Sequence, residues 1–235
     1  MLKIDIITPF PEIVDIVTKS SILSRANKKN IVSYNIYNLF DFSDPPHNRI
    51  DDYPFGGGKG MILKPEPIFR AIKYIKRNRN QNNQYRIIFP TPDGKQFSQK
   101  KAIVFSKVKN IIFICGHYKG IDERIRKELI TDEISIGDFI LTGGELPAMV
   151  ILDSIVRLIP GVLNSYESAE SDSFMGDLLD HPHYTRPEEY KALRVPEVLL
   201  SGHHEKINDW RIQKREEKTK NIRPDLWKKY NNKKN

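Results

Sequence analysis

Apolar and polar residues change their spacing several times along the chain, which predicts alternating strands and helices. Lys3 to Thr8 is a short apolar run of strand length, whereas Glu66 to Lys76 carries apolar residues at helical spacing. Such alternation is typical of a largely parallel sheet covered by helices on both faces. The sequence predicts strands at 3–8, 31–39, 86–89 and 110–115, and helices at 11–19, 66–76, 98–107 and 121–129.

The segment SIGDFILTGGELP, residues 135–147, combines strand and helix signals around a glycine pair. Apolar residues from Ile134 to Leu141 supply strand material, and Thr142 with Glu145 fits a capping box for the following helix. Paired glycines let a backbone approach a ligand closely, and open α/β sheets bind ligands at the carboxyl ends of their strands. The segment predicts a ligand turn, with an ordinary strand-to-helix connection as the alternative.

Three more glycine-bearing segments lie near predicted strand ends or in long loops, at 55–61, 91–94 and 116–120. Several such loops on one alternating sheet suggest a composite pocket. The chain contains no GxxxxGK followed by Ser or Thr, no GxGxxG after the first strand and no GxSxG. These absences disfavour a P-loop nucleotide hydrolase, a dinucleotide site and a nucleophile elbow.

The sequence changes character near Gly161. The helix predicted at 145–159 is apolar almost all round, so we expect it to be buried in the domain or in a subunit interface. Residues 164–173 are rich in Ser, Glu and Asp, and short helical segments follow. We therefore predict an α/β domain at 1–161, a flexible linker at 162–173 and a small α-helical domain at 174–235.

Composition adds a charge argument. The 235 residues carry a net charge of +8, with basic residues concentrated at 73–79, 95–109 and 211–234. Clustered Lys and Arg favour a polyanionic partner, and a lysine-rich solvated surface is the alternative. The N-terminus lacks the features of a signal peptide, no stretch is apolar enough to span a membrane, and the single cysteine fits a reducing compartment. We expect a cytoplasmic protein.

Metal and nucleophile chemistry receive little support from the residue spacing. His181 with His183, and His203 with His204, could present pairs of imidazoles, but no cysteine or acidic cluster completes a zinc-like spacing. We therefore predict no metal-ligating residues. Cys115 ends an apolar strand and is expected to be a packed side chain rather than a nucleophile.

Two ionisable residues, Arg157 and Asp172, can each be interpreted either as structural or as functional. Arg157 lies on an otherwise apolar helix, where an unpaired guanidinium would be costly to bury, and Asp153 is a partner four residues earlier. Asp172 fits a helix N-cap or a solvated linker acid. The residues alone leave these readings open.

Six motifs occur in order along the chain: DDYPFGGGKGM (51–61), CGHYKGIDER (115–124), SIGDFILTGGELP (135–147), IPGVL (159–163), SDSF with DLLDHPHYTRP (171–187) and SGHHEKINDWR (201–211). Together they closely resemble the bacterial tRNA (guanine-N1)-methyltransferase family. The resemblance covers most of the chain, and several long motifs in the right order are far more specific than one glycine pattern.

The resemblance implies a SPOUT-type fold: a mostly parallel sheet with a deep trefoil knot, and a helical C-terminal domain. It also implies a homodimer with the active site at the subunit interface. The implied reaction moves a methyl group from S-adenosylmethionine to N1 of guanosine 37 in tRNAs that have G at position 36. The alternatives are a related knotted methyltransferase acting on another RNA site and a non-catalytic RNA-binding protein.

The resemblance also assigns roles to individual residues. Asp172 would be the general base, and Arg157 would stabilise negative charge developing on the guanine O6. The methyl donor would be bound by Phe89, Pro90, Thr91, Pro92, Gly94, Gly116, Tyr118, Gly120, Ser135, Ile136, Gly137, Asp138, Phe139, Ile140, Leu141, Gly143, Gly144 and Pro147. RNA would be bound by Asp52, Gly58, Lys59, His183, Arg186, Arg211, Lys214 and Arg215.

Two residues depart from the family pattern. Lys119 stands in GHYKG where the family usually has Glu, so a role of that acid is missing or supplied differently. Lys59 replaces a residue that is commonly Pro or Ala, and would add a phosphate contact. Mg²⁺ is associated with the family, but the sequence offers no clear ligand set, and Asp172 and Glu170 are the only guesses.

Overall fold

A computed structural model describes residues 1–79, 84–163 and 172–234. The chain divides into two compact units, Met1–Asn164 and Ser165–Asn235. The predicted linker at 162–173 spans this division, and its residues 164–171 lie outside the described ranges. No helix within the described ranges combines the length and apolar character needed to cross a membrane.

The first unit is built on a five-stranded sheet in the order β2-β1-β6-β5-β7, and all of its strand pairs are parallel. The predicted α/β class with a mostly parallel sheet is confirmed. The trefoil knot stays a prediction. The strands of this unit are β1 (Leu2–Thr8), β2 (Val32–Asn38), β3 (Asp51–Asp52), β4 (Ile62–Leu63), β5 (Arg86–Gln96), β6 (Asn110–Ile114) and β7 (Asp132–Ser135); β3 and β4 form a separate antiparallel pair.

The helices pack against the sheet through their apolar faces. On α3, Ile68, Ile72 and Ile75 recur at helical spacing and are buried in a core cluster with Ile112 and Ile114 of β6. The α2 helix was not predicted. The helices are α1 (Pro11–Thr18), α2 (Ser21–Lys28), α3 (Pro65–Arg79), α4 (Gln99–Phe105), α5 (Glu123–Leu129) and α6 (Glu145–Val156), with a short 3-10 helix at Leu39–Phe42.

The strand predicted from Ile134 to Leu141 is wrong beyond Ser135, where β7 ends. The Ser135 hydroxyl donates to the Gly137 carbonyl at 3.0 Å and accepts from the Gly137 amide at 3.2 Å. Gly137 adopts a φ of +150°, which L side chains rarely adopt. This local turn takes the chain out of the sheet, so residues 136–141 form a loop.

The second unit is mainly helical, as its sequence texture predicted. Its longest helix is anchored by Thr219, whose buried hydroxyl accepts a hydrogen bond from the Leu179 amide at 2.8 Å. Among its described residues are β8 (Glu189–Tyr190), β9 (Leu193–Arg194), α7 (Glu197–Leu200), α8 (His204–Ile222) and α9 (Pro224–Lys234).

Candidate active site

The candidate site of the first unit is a cavity of about 470 Å³ at the carboxyl ends of β6 and β7 and beside the bulged middle of β5. The bulge of β5 near Pro90 lines it, together with two loops that begin near Gly116 and Ser135. Ligands bind at this edge of open α/β sheets, because the connecting loops converge there. All residues that the sequence analysis assigned to the methyl donor line this cavity, except Gly94 and Asp138. Their donor-binding role stays a prediction.

Two loops meet here with almost no space between their backbones. The Gly144 amide donates to the Gly116 carbonyl at 2.8 Å. A Cβ added to Gly144 would lie 2.7 Å from the Gly116 nitrogen and 2.8 Å from the Cys115 Cα. Non-bonded carbon atoms are comfortable only beyond about 3.5 Å, so this position requires glycine for packing rather than for its φ. The glycine pair therefore joins two walls of the cavity.

The predicted capping box at Thr142 and Glu145 is wrong. Gly144 caps α6, and no side chain there makes a capping hydrogen bond. Glu145 is only 2% exposed. Its carboxylate accepts from the Thr8 hydroxyl at 2.6 Å and bonds His117 Nε2 at 2.7 Å. Tertiary partners from β1 and the β6 loop thus replace the local cap.

This buried hydrogen-bond network fixes a residue that the sequence analysis did not select. His117 lines the cavity, and its ring lies 4.8 Å from the Phe10 ring centroid to centroid. A Cβ on Gly143 would collide with the His117 imidazole. A carboxylate bonded to one ring nitrogen fixes the orientation of the imidazole. The place of Glu145 in the GGELP motif could have drawn attention to this acid from the sequence. Its partners Thr8 and His117 become apparent only from the fold.

A second polar cluster holds the β5 bulge against β7. Arg126 of α5 donates to Asp93 at 2.8 Å and to Glu133 at 2.7 Å, and its guanidinium lies 5.8 Å from the centre of the Phe89 ring. The pKa of Asp93 lies below its ordinary value, mainly because its carboxylate accepts a hydrogen bond from Thr91. The hydrogen bond and positive charge of Arg126 lower this pKa further. Arg126, Asp93 and Phe89 all line the cavity. The cluster therefore fixes one wall of the cavity.

The glycine-rich loop at 55–60 abuts the cavity at Lys119. The Lys119 amide donates to the Met61 carbonyl at 3.0 Å. Its side-chain Cγ lies 2.9 Å from where a Gly60 Cβ would be, so the lysine stem crosses the loop. The predicted RNA-binding residues Gly58 and Lys59 belong to this loop and are exposed. Lys119, which stands where the family usually has Glu, therefore lies between the cavity and the glycine-rich loop.

The two predicted catalytic residues belong to different units. Arg157 directly follows α6 and is half-buried, and its backbone amide donates to the Asp153 carbonyl at 3.1 Å. Asp172 begins the described part of the second unit, and its carbonyl accepts from the Met175 amide at 3.3 Å. The alternative reading of Asp172 as a helix N-cap is wrong, since turns follow it. Their catalytic roles stay predictions. Glu170, a guessed metal ligand, lies outside the described residues.

The predicted RNA-binding residues of the second unit differ in their surroundings. Arg186 and Arg211 are exposed. Lys214 pairs with Glu217 at 2.6 Å, and Arg215 donates to the Leu179 carbonyl at 3.2 Å. The fifth, His183, contacts Asp180, and Asp52 of the first unit is exposed on β3. Of the predicted RNA-binding Lys and Arg residues of this unit, Arg186 and Arg211 are therefore the two that are exposed.

Comparison with known proteins agrees with the resemblance seen in the motifs. Residues 2–229 match the family described as tRNA (Guanine-1)-methyltransferase TrmD. The chain is 54% identical to a tRNA (guanine-N(1)-)-methyltransferase of Staphylococcus epidermidis, over 97% of this chain and 92% of that protein. Proteins of the same name from Bacillus subtilis and Clostridioides difficile are 53% and 52% identical, over 97% and 99% of this chain and 93% and 100% of theirs.

Proposed function

This chain belongs to the tRNA (Guanine-1)-methyltransferase TrmD family, and we propose that it methylates N1 of guanosine 37 in tRNAs with G at position 36, using S-adenosylmethionine as donor. The observation that carries the proposal is the cavity at the sheet edge, lined by nearly all of the residues that the motifs assign to the methyl donor. A cavity of about 470 Å³ lies within the ~300–1,000 Å³ typical of small-molecule sites.

The donor fits the chemistry of the cavity wall. Leu141 and Ile140 are exposed on the cavity wall and offer apolar surface to a flat heterocycle. The Asp93 carboxylate, which also accepts hydrogen bonds from Thr91 and Arg126, would contact an ammonium group of the donor. In small-molecule sites, a small number of polar groups on a mainly apolar wall fix the orientation of the ligand.

In the proposed reaction, the methyl–sulfur bond of the donor breaks as a bond to guanine N1 forms, and the sulfonium becomes a neutral thioether. Asp172 accepts the N1 proton, which is only weakly acidic and needs a base. Arg157 stabilises the negative charge that develops on O6, a role suited to a permanently charged planar guanidinium. His117, held by Glu145, packs against Gly143 and so orders the loop that lines the cavity.

We also propose a homodimer. Helices α1 and α6 pack beside each other and leave an exposed apolar surface formed by Phe10, Ile13, Ile16, Leu146 and Val150. Leu146 and Val150 are 54% and 50% exposed on a helix that is otherwise largely buried. An apolar patch of this kind is typical of protein interfaces. It adjoins the cavity through the contact of Phe10 with His117.

The remaining partners follow from charge. Arg186, Arg211 and Lys59 are exposed cations that would contact tRNA phosphates, and the net charge of +8 favours such binding. We propose the cytoplasm as the location, since that is where tRNA is modified.

Mg²⁺ prefers oxygen ligands, and the one three-residue ligand group found among the described residues contains two imidazoles. We therefore assign Mg²⁺ no role in the proposed reaction.

The proposal is tested by incubating the full-length protein with labelled S-adenosylmethionine and a tRNA carrying G at positions 36 and 37. We expect N1-methylguanosine at position 37, located by nuclease mapping. Product at another nucleotide would favour a related enzyme, and tRNA binding without donor binding in calorimetry would favour a non-catalytic RNA-binding protein.

A variant pair tests the base. Asp172→Asn is expected to abolish transfer while the donor Kd changes little, because only the proton acceptor is lost. Asp209→Asn, at an exposed acid of the same unit, is the matched control and should keep parental turnover. Unchanged turnover of Asp172→Asn would remove Asp172 as the base.

A further inference from the structure

Asp180, His181 and His183 of the second unit bring three metal-ligating atoms within 4.8 Å of one another. The sequence analysis considered the two histidines and found no acid to complete a zinc-like spacing. Asp180 completes it, and its position directly before His181 was the missed signal. Two imidazoles and one carboxylate with open positions form a ligand set that binds divalent transition metals in proteins.

Two of the distances between these atoms are close to those required around one ion. His183 Nε2 lies 2.8 Å from Asp180 Oδ2, and His181 Nε2 lies 3.8 Å from Asp180 Oδ1. Metal bonds of about 2.1 Å at angles between octahedral and tetrahedral values separate adjacent ligands by roughly 3.0–3.4 Å. The two observed distances fall on either side of that range. The three ligand atoms lie within 4.8 Å of one another rather than within about 3.4 Å, so binding one ion requires side-chain shifts of up to roughly 1.4 Å.

The surroundings orient the ligands before any metal arrives. His181 Nδ1 lies 3.0 Å from the Pro182 carbonyl, and a hydrogen bond donated there leaves Nε2 as a lone-pair donor toward Asp180. Ring nitrogens bonded to backbone carbonyls in this way are characteristic of metal-bound histidines. The His181 ring also packs edge-on against Trp210 of α8, 6.3 Å between centroids, and the Asp180 amide donates to Ser173 Oγ at 2.9 Å.

We propose that Asp180, His181 and His183 bind one divalent transition-metal ion of the zinc type. The imidazole nitrogens favour Zn²⁺, Co²⁺ or Ni²⁺ over Mg²⁺ and Ca²⁺, which prefer oxygen ligands. Three protein ligands leave at least one coordination position for water or a phosphate oxygen. His183 is also a predicted RNA-binding residue, but metal binding can be measured with the metal ion alone, so this proposal can fail separately from the proposed methyltransferase activity.

The test uses tag-free full-length protein, stripped with a chelator and titrated with Co²⁺ and Zn²⁺. We expect one equivalent of Co²⁺ per chain with visible d–d absorption, displaced by Zn²⁺ and unaffected by excess Mg²⁺. His181→Ala and His183→Ala should each weaken Zn²⁺ affinity by at least about 100-fold, because loss of an outer-shell partner alone costs ~10–100-fold. His204→Ala, at an exposed histidine of the same unit, is the matched control.

Circular dichroism and thermal unfolding of each variant separate loss of the site from loss of the fold. Asp180→Asn, which keeps the side-chain shape, should also weaken Co²⁺ binding and change its absorption. Absence of saturable binding would overturn the proposal. Binding that is the same in His181→Ala, His183→Ala and the parent would show adventitious surface binding only, and would overturn it equally.

Discussion

Substitution of Gly144 by alanine tests whether the close approach of two loops shapes the cavity. The added Cβ would lie 2.7 Å from the Gly116 nitrogen and 2.8 Å from the Cys115 Cα. These are backbone atoms at the end of a buried parallel strand, so no flexible side chain can move aside. The distance to the Cys115 carbon is about 0.7 Å shorter than a comfortable ~3.5 Å carbon–carbon separation, and the loops must separate by a similar amount. Gly144 has a φ of −82°, so backbone strain adds nothing.

The expected cost follows from this displacement. Overpacking of a tight core typically costs about 1–3 kcal/mol, which corresponds to a fall in Tm of about 2–12 °C for a unit of this size. A displacement approaching 1 Å at a reactive site can reduce the reaction rate by up to about 100-fold. We therefore expect Gly144→Ala to lower Tm, to weaken S-adenosylmethionine binding and to slow methyl transfer by roughly 10- to 100-fold.

Differential scanning fluorimetry and isothermal calorimetry measure the first two effects, and the labelled-donor assay measures the third. Gly176→Ala is the matched control, since a Cβ there meets nothing within 4 Å and its φ lies outside the left-handed region. It should match the parent in all three assays. Parental Tm and donor Kd in Gly144→Ala would refute the steric reasoning. A lower Tm with an unchanged Kd would show that this packing stabilises the fold without shaping the donor site.

Three further outcomes are expected. Glu145→Ala should destabilise the protein by about 1–3 kcal/mol in urea unfolding and weaken donor binding, because the Thr8 hydroxyl and His117 lose a buried partner; equal stability would contradict this. Burial acts to raise the pKa of Asp132, but its hydrogen bonds and nearby cations outweigh burial and hold the pKa below its ordinary value. Asp132 therefore stabilises the fold above its ordinary pKa, and the stability gap to Asp132→Asn should close as pH falls through the lowered value. Burial raises the pKa of Cys115, so iodoacetamide should label it only after unfolding.

The sequence was most informative where local pattern and global fold agree. Apolar runs such as 110–115 specify buried parallel strands, because both faces of such a sheet are covered. Three of the four glycine-bearing segments, at 91–94, 116–120 and 143–144, contribute residues that line the cavity, whereas residues 55–61 do not line it. Sequence reasoning was less successful at 136–141, where Phe139, Ile140 and Leu141 look like strand material but are exposed on a loop that lines the cavity. Hydrophobicity alone does not distinguish residues buried in a core from those that line a cavity.

The tertiary structure decided how distant polar groups pair. Thr142 and Glu145 have the spacing of a capping box, yet the Glu145 carboxylate is bonded to Thr8, 137 residues away along the chain, and to His117. A buried carboxylate gains more from two partners inside the protein than from a solvent-exposed cap. Asp180 likewise becomes a candidate ligand only when the backbone brings its side chain beside two imidazoles.

The sequence by itself thus determined the fold class, the family and the loops that form the cavity. These depend on residue periodicity and on motif order, both of which are local properties of the chain. Only the tertiary structure decided that Gly144 must be glycine, that Glu145 positions His117, and that Asp180 lies between two histidines. Each of these depends on distances of a few ångströms between groups whose separation no spacing rule specifies.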